Sequence, residues 1–252
     1  MNWSAVNRTI SEMGFAVLLL LGLAATTHGQ VKVTIDHNTG SGATSNFKFR
    51  SVPTPARDDA APRAKLMLVD GQIDGGSADL GALVDGVLPT AEDEPGANLF
   101  FRAGSMGGRL RIDLGSVIEV QQINTYSWHP NSRGPQLYKV YAADGAEPKF
   151  NADPKRPGDP VTFGWTLVAT VNTLPQAGDD GGQFGVSITD PSGGLGKYRY
   201  LLFDIYPTEL SDDWGNTFYS EIDVVAKRLV TKDREGTGKW FVGFDEVSTG
   251  TR

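Results

Sequence analysis

The sequence predicts an all-β fold, a sandwich or a barrel of antiparallel strands. Apolar residues recur at every second position in most of the chain, as at Trp165, Leu167 and Ala169, and this spacing is typical of strands with one buried face. The 252 residues include 31 glycines and 14 prolines, which indicates many turns between short elements. Only Ala78–Val84 is suited to a short helical turn. Short strands with Gly- and Asp-rich turns favour a sandwich or barrel over alternating strands and helices.

Twelve segments carry the strand pattern. They are Val31–Asp36, Asn46–Ser51, Ala64–Val69, Asn98–Arg102, Arg109–Leu114, Val120–Trp128, Leu137–Ala143, Trp165–Val171, Phe184–Ile188, Tyr198–Tyr206, Phe218–Val224 and Lys239–Val247. Two proline-containing stretches, Val52–Arg63 and Glu147–Pro160, interrupt the pattern. We expect both to be loop insertions, and the second to be a long excursion between two strands of the sandwich.

The first 29 residues have the organisation of a secretory signal peptide. A polar start that contains Arg8 is followed by the apolar run Phe15–Ala25 and then by small and polar residues. The run is shorter than the roughly 20 residues of a membrane-spanning helix, and no later stretch is apolar enough to span a bilayer. Cleavage is expected after Ala25 or, by preference, after Gly29. The mature protein is then secreted, periplasmic or at the cell surface.

Composition excludes several classes of function. The net charge is −7, and no cluster of lysine and arginine is denser than Lys155-Arg156. Nucleic acid and anionic membranes are therefore not expected partners. The chain has no cysteine, which excludes disulfides, thiol catalysis and cysteine-bound zinc.

Five motifs follow one another between Ala64 and Val225. They are Arg109–Gly115 (RLRIDLG), Tyr138–Gly145 (YKVYAADG), Trp165–Val168 (WTLV), Tyr198–Phe203 (YRYLLF) and Tyr219–Val224 (YSEIDV). Their order resembles the discoidin, or coagulation factor 5/8 type C, family of galactose-binding-like folds. The resemblance implies an eight-stranded antiparallel jelly-roll sandwich over 64–225, with ligands bound by loops at one end. Residues 30–63 and 226–252 fall outside it, and we expect N- and C-terminal extensions there that contribute extra strands.

The resemblance also implies a structural calcium ion. The matching positions are Asp85 in an Asp-Gly turn, Thr90 shortly after it, and Glu221 on the last matched strand. Calcium takes roughly six to eight oxygen ligands, and a tight Asp-Gly turn offers main-chain carbonyls beside a carboxylate. The alternative is an ordinary turn and a solvated glutamate. The family often has a tryptophan soon after this turn, whereas Leu88-Pro89 stands here, so the match is incomplete.

The loop after Trp128 is a candidate for carbohydrate binding. It holds His129, Asn131 and Arg133. A sugar packs its C–H face on a flat ring, and its hydroxyls bond to planar side chains that donate and accept hydrogen bonds. Carbohydrate-binding relatives in the family that the chain resembles use His and Arg from the corresponding loop. The alternative is that Trp128 belongs to the core and that Arg133 pairs with a neighbouring acid.

Trp214 is a second candidate for contact with a sugar. It stands between Asp212-Asp213 and Gly215, in a polar stretch without strand alternation. A large aromatic residue in such a setting often marks a contact surface, although it equally suits a ring that folds back to cap the sandwich.

Catalysis is not expected. The sequence has no Gly-x-Ser-x-Gly elbow, no His-Glu-x-x-His motif and no phosphate-binding glycine loop. Cleavage of glycosides by two carboxylates is the enzymatic alternative that remains open. The leading hypothesis is a secreted, non-catalytic carbohydrate-binding module with a glycan as partner. The alternative of another class is an envelope or extracellular domain that binds a protein through the edge strands of its extensions.

Overall fold

The computed structural model describes residues 30–178, 181–209, 216–232 and 240–244, and these residues form an antiparallel all-β structure. The strands are β1 Lys32–Thr39, β2 Lys65–Gly71, β3 Leu99–Phe101, β4 Gly108–His129, β5 Leu137–Ala143, β6 Thr166–Asn172, β7 Gly182–Thr189, β8 Gly196–Ile205, β9 Asn216–Tyr219, β10 Glu221–Ala226, β11 Arg228–Lys232 and β12 Trp240–Phe244. The helical segments among the described residues are 3-10 turns of three to five residues, including Leu80–Val84 inside the predicted helical turn. The predicted all-β class is confirmed.

Strand β4 is shared by both layers of the sandwich. Its first part, 108–113, pairs with β2 on one side and with β8 on the other. Its last part, 122–129, pairs with β7 and β10. The register shifts between Asp113 and Ile118, and such an irregularity bends a strand and increases its twist. One layer therefore has the order β6-β5-β8-β4-β2 and the other has the order β1-β7-β4-β10.

The two layers enclose one hydrophobic core. Leu110 and Ile112 of β4 and Phe203 of β8 come from the first layer, whereas Val186 of β7 and Ile222 of β10 come from the second. All of these side chains are fully buried. Each contributes about 1.5–3 kcal/mol to stability through the apolar area that it removes from water. The apolar residues that alternate in the sequence thus form the inward face of each layer.

The segment between β1 and β2 crosses the outer face of the second layer. Phe49 packs on Gly185, where an added Cβ would lie 3.0 Å from the ring. The Tyr126 hydroxyl donates a hydrogen bond to the Pro53 carbonyl at 2.7 Å. The strand predicted over Asn46–Ser51 is wrong: the backbone there pairs with no strand, the Phe49 ring contacts Tyr126 of the sheet, and the Phe47 ring packs on Phe49. Alternation alone cannot distinguish these two uses of aromatic residues.

The 147–160 insertion is tied to the first layer by arginines. Arg109 donates to the Pro154 carbonyl at 2.9 Å, and Arg111 pairs with Asp153. Arg156, inside the insertion, binds Asp204 of β8. The insertion is thus a loop, as predicted, and it is fixed to the sheet by charge-assisted hydrogen bonds.

Several strand ends differ from the prediction by one to three residues, and the division into strands differs at two places. The segments predicted over 109–114 and 120–128 form the single strand β4, because the bulge between them does not end the pairing with β8. The segment Phe218–Val224 is divided between β9 and β10 at Ser220. The predicted signal peptide, residues 1–29, lies outside the described residues, and no helix among those described is long and apolar enough to cross a membrane.

Candidate functional site

A cleft of about 580 Å³ lies at the end of the sandwich where β4 ends. Loops that are distant in the sequence meet there, because β4 delivers the 129–133 loop beside β3 and β9. The residues that line the cleft are Asp74, Gly76, Asp93, Pro95, Phe100, His129, Pro130, Asn131, Arg133 and Phe218. The structure therefore brings together three of the four residues predicted to bind a sugar, namely His129, Asn131 and Arg133.

Aromatic rings form one wall of the cleft. Phe100 of β3 and Phe218 of β9 stack with their ring centroids 4.4 Å apart and an interplanar angle of 1°. The His129 ring lies 4.5 Å from Phe218. The three rings are almost completely buried, so the wall is rigid and apolar, and the polar edge of His129 is the part that can bind a ligand by hydrogen bonding.

His129 presents a hydrogen-bond donor to the cleft. Its Nδ1 accepts a hydrogen bond from the Asn131 backbone N–H at 3.4 Å, so the proton of the neutral ring is assigned to Nε2. His129 is 2% exposed. Burial, followed by the charge of Arg133, lowers the pKa of His129 to about 4, and the ring is therefore neutral near pH 7.

The Nε2 atom of His129 has no hydrogen-bond partner in the described protein. The nearest acid is Asp93, whose Oδ1 lies 3.9 Å away. This separation is too long for a direct hydrogen bond. Because the ring is neutral, His129 and Asp93 do not form an ion pair. They are two polar groups that line the same cleft. A hydroxyl placed beside this pair, within hydrogen-bond distance of both atoms, would accept from Nε2–H and donate to the carboxylate.

Arg133 is held in place by Glu209. Its Nε donates to Glu209 Oε1 at 2.6 Å, and both side chains are mostly buried. Ser132 donates to the second oxygen of Glu209 at 2.5 Å, and the Phe218 backbone N–H donates to the Arg133 carbonyl at 3.1 Å. The pairing of Arg133 with an acid, which the sequence leaves open as an alternative, is thus present, and it fixes an arginine that also lines the cleft.

Two acids of the cleft were not predicted. Asp74 accepts a hydrogen bond from the Gly76 N–H at 2.9 Å, and the Asp93 side chain is 65% exposed. In the sequence both stand in Gly- and acid-rich stretches that are typical of turns. Only the packing of loops that are distant in the sequence places both of them at the cleft that His129 also lines.

The other predicted aromatic residues do not add to the described cleft. Trp128 is 5% exposed and belongs to the interior, as the alternative interpretation held. Trp214 lies outside the described residues, and its part in binding stays a prediction.

The residues predicted to bind calcium lie in a separate place, between the Asp85 turn and β10. Glu221 is fully buried. One of its carboxylate oxygens accepts from the Gly86 N–H at 2.9 Å, and the other has no hydrogen-bond partner among the described residues. Burial, together with Asp223, Asp85 and Asp59, raises the pKa of Glu221 to about 9. A buried carboxyl group surrounded by acids fits a cation, which would take the place of its proton.

The fit is incomplete at the remaining positions. The Asp85 carboxylate accepts from the Val87 N–H at 2.8 Å, and the Thr90 hydroxyl donates to Glu94 at 3.1 Å. The described residues contain no group of three or more His, Asp or Glu side chains arranged to hold a metal ion. A cation bound to Glu221 would therefore need main-chain carbonyls of the turn, and the Thr90 side chain faces another partner.

The fold and the cleft define an antiparallel β-sandwich with a preformed pocket at one end. No protein-family model and no curated protein sequence matches the chain. Among solved structures, a fucose binding module of Streptococcus pneumoniae is similar at 15% identity and a TM-score of 0.42, over 71% of this chain and 100% of that module. Module CBM32-1 of a family 31 glycoside hydrolase from Clostridium perfringens is similar at 12% identity and a TM-score of 0.41, over 67% and 98%.

A third similar structure is chitosan-binding module 1 from a chitosanase/glucanase of Paenibacillus sp. IK-5. It matches at 17% identity and a TM-score of 0.39, over 66% of this chain and 97% of that one. Because the identities and TM-scores are low, the function has to be inferred from the residues of this cleft.

Proposed function

We propose that this protein is a non-catalytic glycan-binding module whose site is the cleft at the end of β4. The observation that carries the proposal is the buried, neutral His129, which directs an N–H without a protein partner into a cleft walled by aromatic rings. An unpaired buried donor costs about 1–3 kcal/mol, and this cost is recovered when a ligand hydroxyl accepts the hydrogen bond.

The surrounding groups suit the rest of a sugar ring. Because His129 Nε2 and Asp93 Oδ1 lie 3.9 Å apart, a hydroxyl beside the line that joins them can accept from the first and donate to the second. Asn131 and Arg133 line the same cleft and offer further donors, and Pro95 and Pro130 offer apolar surface for C–H groups. A volume of about 580 Å³ is within the range of small-molecule sites and corresponds to one or two sugar units.

The proposal is tested by calorimetric titration of the protein with a glycan selected on an array. His129→Ala should weaken binding by about tenfold or more, since it removes a buried hydrogen bond from the ligand. Asp144→Ala is the control, because Asp144 is exposed in a turn and does not line the cleft. Equal binding by wild type and His129→Ala would contradict the assignment of the cleft.

The absence of catalysis and the export of the chain belong to the same proposal. Asp74 and Asp93 are the two acids among the described residues that line the cleft, so they are the pair to test for glycosidase activity. If the wild type releases reducing sugar and Asp93→Asn does not, the protein is a hydrolase, and the proposal of a non-catalytic binding module is contradicted.

Recovery of the chain from culture medium or periplasm, with an N-terminus near residue 30, would support export.

We further propose that calcium binds at Glu221 and the Asp85 turn as a structural ion. The support is the buried, unpaired carboxylate oxygen of Glu221 among acidic neighbours. A ligand bound only by the folded state raises the melting temperature, so calcium should raise it and a chelator should lower it. Glu221→Gln should remove this response and keep the hydrogen bond from Gly86. An identical melt of the wild type with calcium and with chelator would contradict the proposal.

A further inference from the structure

The cleft has an excess of negative charge. Arg133 is the only basic residue among the described residues that line it, and its charge is matched by Glu209 at 2.6 Å. His129 is neutral. Asp74 and Asp93 therefore face the cleft without a matching cation among the described lining residues.

A second observation distinguishes this pair from a chance cluster of acids. The 2% exposed His129 directs its unpartnered Nε2 into the same space, 3.9 Å from Asp93. Nε2–H is a donor, so it accepts no hydrogen bond from an ammonium group, which itself has only donors. A hydroxyl fits beside His129, and a charged amine fits beside the carboxylates.

These two preferences are met by one kind of sugar. A hexose with a free amine and a hydroxyl on neighbouring carbons presents both groups on one edge of the ring. An acetylated amine keeps a single N–H and carries no charge, and an acidic sugar brings a like charge to the two aspartates, which is repulsive. The Asp93 side chain is 65% exposed, so its carboxylate is accessible to a ligand.

We infer that the ligand of the cleft is an amine-bearing glycan, with 2-amino-2-deoxyhexose units whose ammonium group is held by Asp93 and Asp74. This inference rests on the proposed function. It names the chemical class of the glycan and assigns the two acids as the residues that determine specificity.

The test is calorimetric titration of the protein near pH 6 with short oligomers of glucosamine, N-acetylglucosamine and galacturonic acid. The glucosamine oligomer should bind about fivefold or more tightly than the N-acetylated one, which corresponds to a partly exposed ion pair. The preference should shrink in Asp93→Asn and in high salt. Asp144→Asn is the matched control, because Asp144 is exposed in a turn and does not line the cleft.

The outcomes separate this inference from the proposed function. Equal or tighter binding of the N-acetylated or the acidic oligomer would overturn it while the cleft remains a glycan site. The same holds if Asp93→Asn and Asp74→Asn reduce binding of the glucosamine oligomer no more than binding of the N-acetylated one. If no glycan of any kind binds, or if His129→Ala binds every oligomer as the wild type does, both proposals fail.

Discussion

The buried state of His129 makes the stability of the protein depend on pH in a defined window. In the unfolded chain a histidine titrates near 6.5, whereas burial and Arg133 lower the pKa of His129 to about 4 in the folded protein. Between these values the unfolded state binds a proton that the folded state does not bind, so the free energy of unfolding falls as the pH falls. The contribution is complete above pH 6.5 and is lost on acidification toward pH 4.

The magnitude follows from the two pKa values. The difference between 6.5 and about 4 corresponds to about 3 kcal/mol, since one pH unit is worth about 1.4 kcal/mol. Solvent screens this contribution very little, because only 3% of the His129 side chain is exposed. A loss of this size is a large fraction of the stability of a typical domain.

The measurement is denaturant unfolding at a series of pH values for the wild type and for His129→Gln. The variant cannot titrate at this position, so subtraction removes the contribution of the carboxylates that both proteins share. We expect the wild type to lose about 3 kcal/mol relative to the variant between pH 7 and pH 4. Parallel curves, or a His129 resonance that titrates near pH 6.5 or above, would show that attraction to Asp93 outweighs burial and would refute the reasoning.

Three other changes test the described contacts. Arg109→Met leaves the buried Asp204 with one arginine fewer and should lower the free energy of unfolding by about 3 kcal/mol, measured by denaturant titration. Phe49→Ala removes the ring that covers Gly185 and should cost about 2 kcal/mol in the same assay, with less loss if the segment collapses onto the sheet. Glu209→Gln weakens the support of the cleft arginine and should reduce glycan affinity several-fold without a change in the circular dichroism spectrum; an unchanged affinity would mean that the arginine is not part of the site.

The sequence predicts the strands well where a run with strand alternation is bounded by turns on both sides. The predicted segment Leu137–Ala143 coincides with β5, because that strand lies between β6 and β8 and is bounded by turns. Prediction is wrong at Asn46–Ser51, where aromatic residues alternate in a segment that covers a sheet without joining it. Alternation reports which side of the chain is buried, and it does not report whether the backbone has a partner strand.

The candidate site is predicted in part for a similar reason. His129, Asn131 and Arg133 follow each other in one loop, so their residue types and spacing are enough to suggest a site. Asp74 and Asp93 join them only through the long-range packing of other loops, and no local pattern marks them. Arg133 is likewise oriented by Glu209, which lies 76 residues further along the chain, so no local pattern marks this pair.

The pairing of strand β4 fixes one part of the cleft in place. His129 is the last residue of β4 and is still paired with Gly182 of β7, so its position is fixed by the same ladder that joins the two layers. Backbone amides in such a central strand exchange with solvent mainly when the whole domain opens. If the cleft binds a glycan as proposed, the part that ends β4 needs little ordering on binding, and most of the interaction free energy at His129 is available as affinity.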